Sequence, residues 1–111
     1  MSTVKSSALP TLSVILPNYN HGRYLRGALG AILSQSARPL EVLVIDDAST
    51  DDSVQIIREI AVRDPLVRLL VNPRNMGPFP TINRGVREAA GDFVCTPAAD
   101  DQILPGLLRN R

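Results

Sequence analysis

The stretch EVLVIDDASTD, residues 41–51, joins a short apolar run to a polar segment and decides the fold of this chain. Its aliphatic residues 42–45 predict a buried strand, because short β-branched runs bounded by turn residues are typical of strands. The polar residues that follow the strand open with Ser49, and a hydroxyl followed by early carboxylates favours the start of a helix. We therefore expect a strand, a polar turn and a helix in this order.

Three similar apolar runs lie at residues 12–16, 67–71 and 93–95. Their near-continuous apolar character predicts strands that are buried on both faces, although Arg68 indicates less burial for the third strand of the chain. Helical spacing predicts three helices between the strands: from about 23 to 35, from 49 to just before Pro65, and from 80 to 90. We expect Gly91 to end the third helix in a left-handed turn.

The expected buried faces of these helices follow from residues spaced three and four apart, namely Leu25, Ala28, Leu29 and Ile32, then Val54, Ile57, Ile60 and Ala61, then Ile82, Val86 and Ala89. Strands that alternate with helices favour right-handed crossovers and an open sheet. The predicted fold is thus α/β, a Rossmann-like three-layer α/β/α domain with a mainly parallel sheet.

Composition limits the classes of function. A chain of 111 residues suits a single domain, and 44% hydrophobic with 21% charged residues is ordinary for a packed protein. Twelve Lys and Arg oppose eleven Asp and Glu, which leaves a net charge of +1. This balance predicts no nucleic-acid partner and no acidic lipid partner.

The single cysteine and the absence of long apolar runs indicate the compartment. Cys95 cannot form an internal disulfide, so we expect a buried thiol in a reducing, cytoplasmic location. No stretch of about 20 apolar residues is present, although a tether at the cytoplasmic face of a membrane could lie outside this chain. We expect residues 1–10 to be flexible and residues 11–111 to form the domain. Its apolar end, 104–111, suggests a truncated helix.

Ligands of open parallel sheets bind outside the carboxyl ends of the strands, which directs attention to residues 17–20, 46–50, 72–79 and 98–101. Two acidic pairs, Asp46-Asp47 and Asp100-Asp101, follow the second and fourth strands. Carboxylates grouped in this way favour a hard divalent cation, Mn or Mg, that also binds substrate phosphates. In the alternative interpretation the carboxylates, Asp46 and Asp51 above all, only cap helices and turns.

The segment after the first strand, residues 17–22, has no glycine-rich phosphate loop, which disfavours classical dinucleotide binding. Tyr19 offers an aromatic face on which a base could stack, or it is a tyrosine that packs on the surface. His21 is assigned no role, since no serine or cysteine is visibly paired with it.

Several of these segments occur together in one family. LSVILPNYN, residues 12–20, resembles the opening strand and loop of family 2 glycosyltransferases, and residues 41–51 resemble their second-strand signature. The pattern continues through NMG at 75–77, NRG at 83–85, AGDFV at 90–94 and the acidic pair at 100–101. Because the segments follow the family's order, the resemblance extends over about residues 11–105.

The resemblance implies a GT-A fold and metal-assisted transfer of a sugar from a nucleotide-diphosphate sugar. It implies that Pro17 and Tyr19 line the base pocket and that Asp47 accepts a hydrogen bond from the base. Uracil offers a suitable imide N–H, which favours a UDP-sugar. The resemblance further implies that Asp100 contacts the ribose or shares the metal, and that Asp101 holds the cation, which neutralises the leaving diphosphate.

Two positions depart from the family pattern. Ala98 stands where many members have aspartate, and Ile82 stands where many have a basic residue. Asn75 and Asn83 are interpreted as structural. The resemblance places the catalytic base and most of the acceptor site beyond this chain, so no base is named and the acceptor, a saccharide, lipid or protein, stays open.

Two other functions remain as alternatives. The first is a non-catalytic module that binds a nucleotide or a partner through the same pocket. The second is a nucleotidyltransferase, which the missing Gly-rich basic loop disfavours.

Overall fold

The structure, a computed structural model, describes residues 10–97. Strands and helices alternate as predicted, with bounds β1 Leu12–Asn18, α1 Gly22–Leu33, β2 Glu41–Asp46, α2 Ser53–Arg63, β3 Val67–Val71, α3 Pro78–Glu88 and β4 Phe93–Cys95. No helix within this part of the chain has the length and apolar content needed to cross a membrane.

The four strands form one parallel sheet in the order β3-β2-β1-β4. β1 pairs with β2 from Ser13 to Asn18 but with β4 only from Leu12 to Val14. The chain therefore adds strands on one side of β1 until β3 and then crosses to the other side of β1. This reversal is the topology of doubly wound sheets, and ligands bind such sheets at the carboxyl edge where it occurs.

Helices cover both faces of the sheet, which confirms the predicted three layers. On one face Val14, Leu16 and Val44 pack against α1 and α2, and the predicted buried face of α1 is buried throughout. On the other face a smaller cluster, Ile15, Leu43 and Ile45, lies towards α3.

The predicted buried face of α3 is wrong at Val86, although Ala89 packs against the smaller cluster as expected. Thr81 and Gly85 are its buried residues, whereas Val86 is 45% exposed and Ile82 is half-buried. Gly85 explains the difference, because a Cβ at this position would clash with the side chain of Ile15. The helix approaches the sheet at its glycine, which turns the bulkier neighbours towards its flanks.

Two helix boundaries also differ from prediction. α2 begins at Ser53 rather than near Ser49, and its buried residues include Ile56, which the predicted face omitted. α3 ends in an extended residue, Ala89, instead of a left-handed turn at Gly91. Gly91 is needed for close packing, since a Cβ there would lie 2.7 Å from Ser13 Oγ and 2.8 Å from Ser13 N.

Two strands differ from prediction, β1 in its length and β4 in its exposure. β1 continues through Pro17 to Asn18, and this is possible because Asn18 C=O bonds to Asp47 N while the missing N–H of Pro17 faces away from β2. β4 was expected to be buried on both faces, but Phe93 and Val94 are 49% and 41% exposed. Within residues 10–97, β4 has only β1 as a neighbour, which leaves its outer side open.

Glu41, which sequence analysis did not single out, organises the end of the sheet where β2 begins, opposite the carboxyl edge. This buried carboxylate accepts hydrogen bonds from Ser13 Oγ at 2.7 Å, Ala90 N at 2.6 Å and Arg68 Nη1 at 3.1 Å. It therefore ties β1, β3 and the segment after α3 to the start of β2.

Candidate functional site

The loops that follow β1, β2 and β3 meet at the carboxyl edge of the sheet and are joined by polar side chains. Register brings Asn18, the last residue of β1, beside Asp46, the last residue of β2. Asn18 Nδ2 donates to Asp46 Oδ1 at 3.0 Å, and both side chains are buried. The two strand ends are thus fixed to each other before their loops diverge.

Asp46 caps the turn that follows β2. Its carboxylate accepts the backbone N–H of Ser49 at 2.8 Å and the hydroxyl of Ser49 at 2.7 Å. Ala48 between them has φ 61°, a left-handed conformation that tightens the turn. Asp46 is fully buried, so this confirms the structural interpretation of its carboxylate.

Asn20 links the first loop to the second. Its Oδ1 accepts the N–H groups of Thr50 at 2.8 Å and Asp51 at 3.2 Å, while its own N–H donates to Ser49 Oγ at 2.9 Å. Asn20 adopts φ 55°, a region that asparagine tolerates better than most residues. The loop that carries Tyr19 is therefore held against the loop that carries Asp47.

Asp51 joins the first residues of two helices. One of its oxygens accepts the N–H of Gly22 in α1 at 3.0 Å, and the other accepts the N–H of Ser53 in α2 at 2.9 Å. Burial raises the pKa of Asp51, but the bonds from Ser53 and Gly22 outweigh it and hold the pKa below its usual value. The prediction that Asp51 caps a helix start is confirmed, with α1 as a second, unforeseen helix.

Asp47 holds the loop that follows β3. Its Oδ1 accepts Asn72 Nδ2 at 2.9 Å and Met76 N at 2.7 Å, and its Oδ2 accepts Gly77 N at 3.0 Å. Burial raises the pKa of this carboxyl, yet these bonds outweigh burial and lower the pKa, so Asp47 is ionised at neutral pH. Asn75 Nδ2 also lies 3.5 Å from the backbone oxygen of Asp47, consistent with its structural interpretation.

Asn72 extends this network into α3. Its Nδ2 also donates to Thr81 Oγ1 at 2.9 Å, and its Oδ1 accepts Arg84 Nη1 at 2.9 Å. The Thr81 hydroxyl donates to Gly77 C=O at 2.7 Å. Asp47, Asn72 and Thr81 are all buried, so the position of α3 depends on the ionised carboxylate.

Three of the predicted nucleotide-binding residues lie within the described chain, and the loops bring them to one edge. Pro17 is half-buried, Tyr19 is 44% exposed and Asp47 is 5% exposed. Asp100 and Asp101 lie outside the described residues. Across residues 10–97 no group of three or more His, Cys, Asp or Glu side chains could hold a metal ion.

The described carboxylates do not by themselves fit a divalent cation. The oxygens of Asp46, Asp47 and Asp51 already accept N–H and O–H groups, and within residues 10–97 these side chains form no group that could hold a metal ion. The hypothesis that the first acidic pair contributes metal ligands therefore has no support from this geometry.

Sequence analysis included the polar residues that assemble the site in its strand-end segments but gave them no binding partners, namely Asn18, Asn20, Ser49 and Asn72. Their common signal was their position, because each one ends a strand or follows it directly. Their partners are distant in sequence, as with Asn20 and Thr50 across 30 residues. Local patterns cannot specify such pairs.

Comparisons with known proteins agree with this architecture. The sequence pattern of the family described as Glycosyl transferase family 2 matches residues 13–110. An uncharacterized glycosyltransferase of Haemophilus influenzae is 39% identical over 95 residues, which cover 86% of this chain and 38% of that protein.

Two solved structures share the fold. The mannosyltransferase PcManGT from Pyrobaculum calidifontis, in complex with GDP-Man and Mn2+, aligns with a TM-score of 0.83 at 31% identity and covers 91% of this chain and 31% of its own. Residues 1–349 of TarS from S. aureus, in complex with UDP-GlcNAc, align with a TM-score of 0.79 at 32% identity, covering 90% of this chain and 29% of their own.

The chain thus spans between 29% and 38% of the length of these proteins. The match to the family pattern includes nearly every described residue, and the parallel sheet with its helices matches GT-A glycosyltransferase structures. This chain belongs to glycosyl transferase family 2.

Proposed function

We propose that this chain supplies the donor-binding part of a glycosyltransferase that transfers a sugar from a nucleotide-diphosphate sugar, with a UDP-sugar favoured, to an acceptor. The observation that carries the proposal is the arrangement of Asp47 at the meeting point of three loops. Relatives of this fold bind GDP-Man and UDP-GlcNAc, so the donor class fits the family.

The hydrogen-bonding capacity of Asp47 favours uracil. The Asp47 carboxylate already accepts hydrogen bonds from Asn72, Met76 and Gly77 and also interacts with the Thr81 hydroxyl. Little acceptor capacity is left for a base, and uracil asks for little, since it offers one imide N–H between two carbonyl groups.

Tyr19 and Pro17 would form the walls of the base pocket. Tyr19 is 44% exposed in a loop that Asn20 fixes to the second loop, so its ring is available without a large rearrangement. An aromatic face that is already held in position binds a base with less loss of side-chain freedom.

The diphosphate would lie towards Asp100 and Asp101, which follow β4 in sequence. We propose that Asp100 contacts the ribose or shares the metal and that Asp101 holds a divalent cation, Mn or Mg. When bound, the cation supplies positive charge that stabilises the leaving diphosphate. The bound Mn2+ of the mannosyltransferase relative supports this choice of cofactor.

Titration calorimetry with UDP tests the proposal. We expect UDP to bind this chain more tightly with manganese than with EDTA, and Asp101→Asn to abolish the difference. Asp52→Asn is the matched control, because Asp52 is an exposed aspartate whose side chain makes no hydrogen bond within residues 10–97. Equal affinity in manganese and EDTA would remove the metal from the proposal, and failure to bind UDP at all would remove the donor site.

A non-catalytic binding module is the alternative, and only transfer separates the two. Release of UDP from a UDP-sugar that depends on a saccharide, lipid or protein acceptor would support the enzyme. If the protein binds UDP but releases none from a UDP-sugar in the presence of such acceptors, the binding module is supported. A cytoplasmic location remains part of the proposal, on the basis of the single Cys95.

A further inference from the structure

Arg84 reaches from α3 to the end of β3 with its side chain. Its Nη1 atom donates to the backbone oxygen of Val71 and to Asn72 Oδ1, each at 2.9 Å. Arg84 is half-buried and forms no ion pair with any residue in the range 10–97. Its positive charge is therefore directed at an amide rather than at a carboxylate.

The amide of Asn72 carries this contact on to Asp47. While its Oδ1 accepts Arg84 Nη1, its Nδ2 donates to Asp47 Oδ1 at 2.9 Å. Asn72 and Asp47 are 2% and 5% exposed, so water competes little for the bond between them. A cationic donor lies at one end of the amide and an anionic acceptor at the other, and each polarises the amide in the sense that strengthens the opposite bond. Arg84 and Asp47 are thus linked through one buried side chain.

The hydroxyl of Thr81 favours the same orientation of the Asn72 amide. It donates its single hydrogen to Gly77 C=O at 2.7 Å, so it can only accept from Asn72 Nδ2, at 2.9 Å. A rotated amide would turn Oδ1 towards the Asp47 carboxylate, which places one acceptor against another. In the observed orientation Oδ1 needs a donor of its own, and Arg84 supplies it.

Close packing of α3 fixes the point from which Arg84 extends. The next residue, Gly85, is buried, and a Cβ there would clash with Ile15 Cγ2 and lie 2.8 Å from Ile45 Cδ1. The backbone of Arg84 is therefore held against the sheet. Side chains that are carried by a rigid element position their partners more accurately than side chains on a loop.

We propose that Arg84 is a positioning residue for recognition of the donor's base, and that it acts through Asn72 to hold the Asp47 carboxylate in place. The proposal rests on the proposed function, in which Asp47 accepts the imide N–H of uracil. Asn72, Met76 and Gly77 already hold the carboxylate, so a displaced Asn72 would misalign the acceptor capacity that is left for the base.

Calorimetric titration with two uridine nucleotides tests this role. The ligands are UDP and 3-methyluridine 5′-diphosphate, in which a methyl group replaces the imide hydrogen, and both are titrated with manganese. We expect the parent to prefer UDP roughly tenfold or more, the value of one hydrogen bond to a charged group. Arg84→Met should reduce this preference to roughly twofold, because Asn72 no longer holds the carboxylate firmly. The ratio of the two affinities is independent of any change in attraction to the diphosphate, which the ligands share.

Arg87→Met is the matched control. Arg87 lies three residues further along α3, is exposed, and makes no hydrogen bond or ion pair within the described part of the chain, residues 10–97. Both variants lose one positive charge, so Arg87→Met should keep the parent's preference for UDP. Arg84→Lys should restore most of that preference, because an ammonium group can also donate to Asn72 Oδ1. If circular dichroism shows that Arg84→Met is unfolded, Arg84→Gln replaces it, since glutamine keeps an N–H donor without the charge.

Two results would overturn the proposal while leaving the donor site intact. An unchanged preference for UDP in Arg84→Met, with or without weaker binding of both ligands, would show that Arg84 only caps the end of β3. Equal reductions of the preference in Arg84→Met and Arg87→Met would indicate a response to net charge. A parent protein that does not bind UDP, or that binds both ligands equally, would instead contradict the proposed function, and the role of Arg84 would be lost with it.

Discussion

The carboxylate of Asp47 accepts the backbone N–H of Gly77 across 3.0 Å, so a side chain at the end of β2 holds the residue that precedes α3. Gly77 has φ 90°, a conformation that residues with a side chain rarely adopt. In the proposed function the same carboxylate also binds the base of the donor. We therefore expect stability and donor binding to be coupled at Asp47.

Asp47→Asn should lower both the stability of the protein and its affinity for UDP. The substitution removes the charge that strengthens three hydrogen bonds and turns an amide NH2 towards N–H donors, which should cost about 2 kcal/mol of unfolding free energy. Urea denaturation measures this loss, and UDP titration measures the accompanying loss of affinity. Asp52→Asn, an exposed change without side-chain bonds, should stay within about 0.5 kcal/mol of the parent. Equal stability of the two variants would contradict the role assigned to the Asp47 bonds.

Two helical glycines should respond to alanine in opposite directions. Gly85→Ala places a Cβ against Ile15 and Ile45 and should destabilise the protein by about 1–3 kcal/mol through overpacking. Gly27→Ala meets no atom within 4 Å and should stabilise α1 by about 0.5–1 kcal/mol through helix propensity. Thermal unfolding of both variants tests the approach of α3 to the sheet. A stabilising effect of Gly85→Ala would show that α3 packs less closely on the sheet than the structure indicates.

Stability should fall with pH in the acid range through Glu41. Burial raises the pKa of Glu41, but the N–H of Ala90, the hydroxyl of Ser13 and the guanidinium of Arg68 outweigh it and lower the pKa from 4.5. Since the folded pKa is the lower one, the stabilisation is complete above pH 4.5 and is lost as the pH falls through the folded value. Urea titrations from neutral to acid pH should show a shallower loss for Glu41→Gln. The same pH profile for parent and variant would show that the loss of stability in acid does not come from Glu41.

Asn20 should separate backbone strain from side-chain bonding. Asn20→Ala removes the hydrogen bonds to Thr50 and Asp51 and keeps a residue with a side chain at φ 55°. Asn20→Gly removes the same hydrogen bonds, but glycine adopts this φ without steric strain. The left-handed conformation costs an alanine about 1–2 kcal/mol, so the alanine variant should be the less stable by about this amount. Urea denaturation provides the comparison, and a glycine variant no more stable than the alanine variant would mean that the loop relaxes.

Two tyrosines with nearly equal exposure test the base pocket. Tyr19 and Tyr24 are 44% and 45% exposed, but only Tyr19 lies in the loop between β1 and α1. Stacking of a base on an aromatic ring contributes about 1–3 kcal/mol, so Tyr19→Ala should weaken UDP binding roughly tenfold or more. Tyr24→Ala should leave the affinity nearly unchanged in the same calorimetric titration. Equal losses of UDP affinity in the two variants would indicate that the base binds nearer to α1 than proposed.

The sequence predicted the fold well because each strand is a compact apolar run and α1 has a regular buried face. The face of α3 could not be predicted in the same way. Its contact with the sheet depends on a missing side chain at Gly85 and on a buried polar residue, Thr81, whereas hydrophobic spacing selects apolar residues. Val86 fits the periodic pattern but lies on the flank of the helix.

The candidate site was predicted in position but not in its internal connections. The end of each strand identified Asp46 and Asp47, since parallel strands deliver their following residues to one edge. Which oxygens are already occupied depends on Asn18, Asn72 and the amides of a distant loop. These partners become visible only when the register of the strands is known.

The short pairing of β4 with β1 has a consequence for synthesis of the chain. Asp92 and Thr11 exchange hydrogen bonds across 81 residues, whereas β1 meets β2 across 28. A ribosome adds roughly 5–20 residues per second, so β2 is available to β1 a few seconds before β4 emerges. During that interval one edge of β1 lacks its partner, and unpaired edges recruit other extended chains. We expect the nascent protein to depend most on chaperones in the period that ends when Phe93 has left the ribosome.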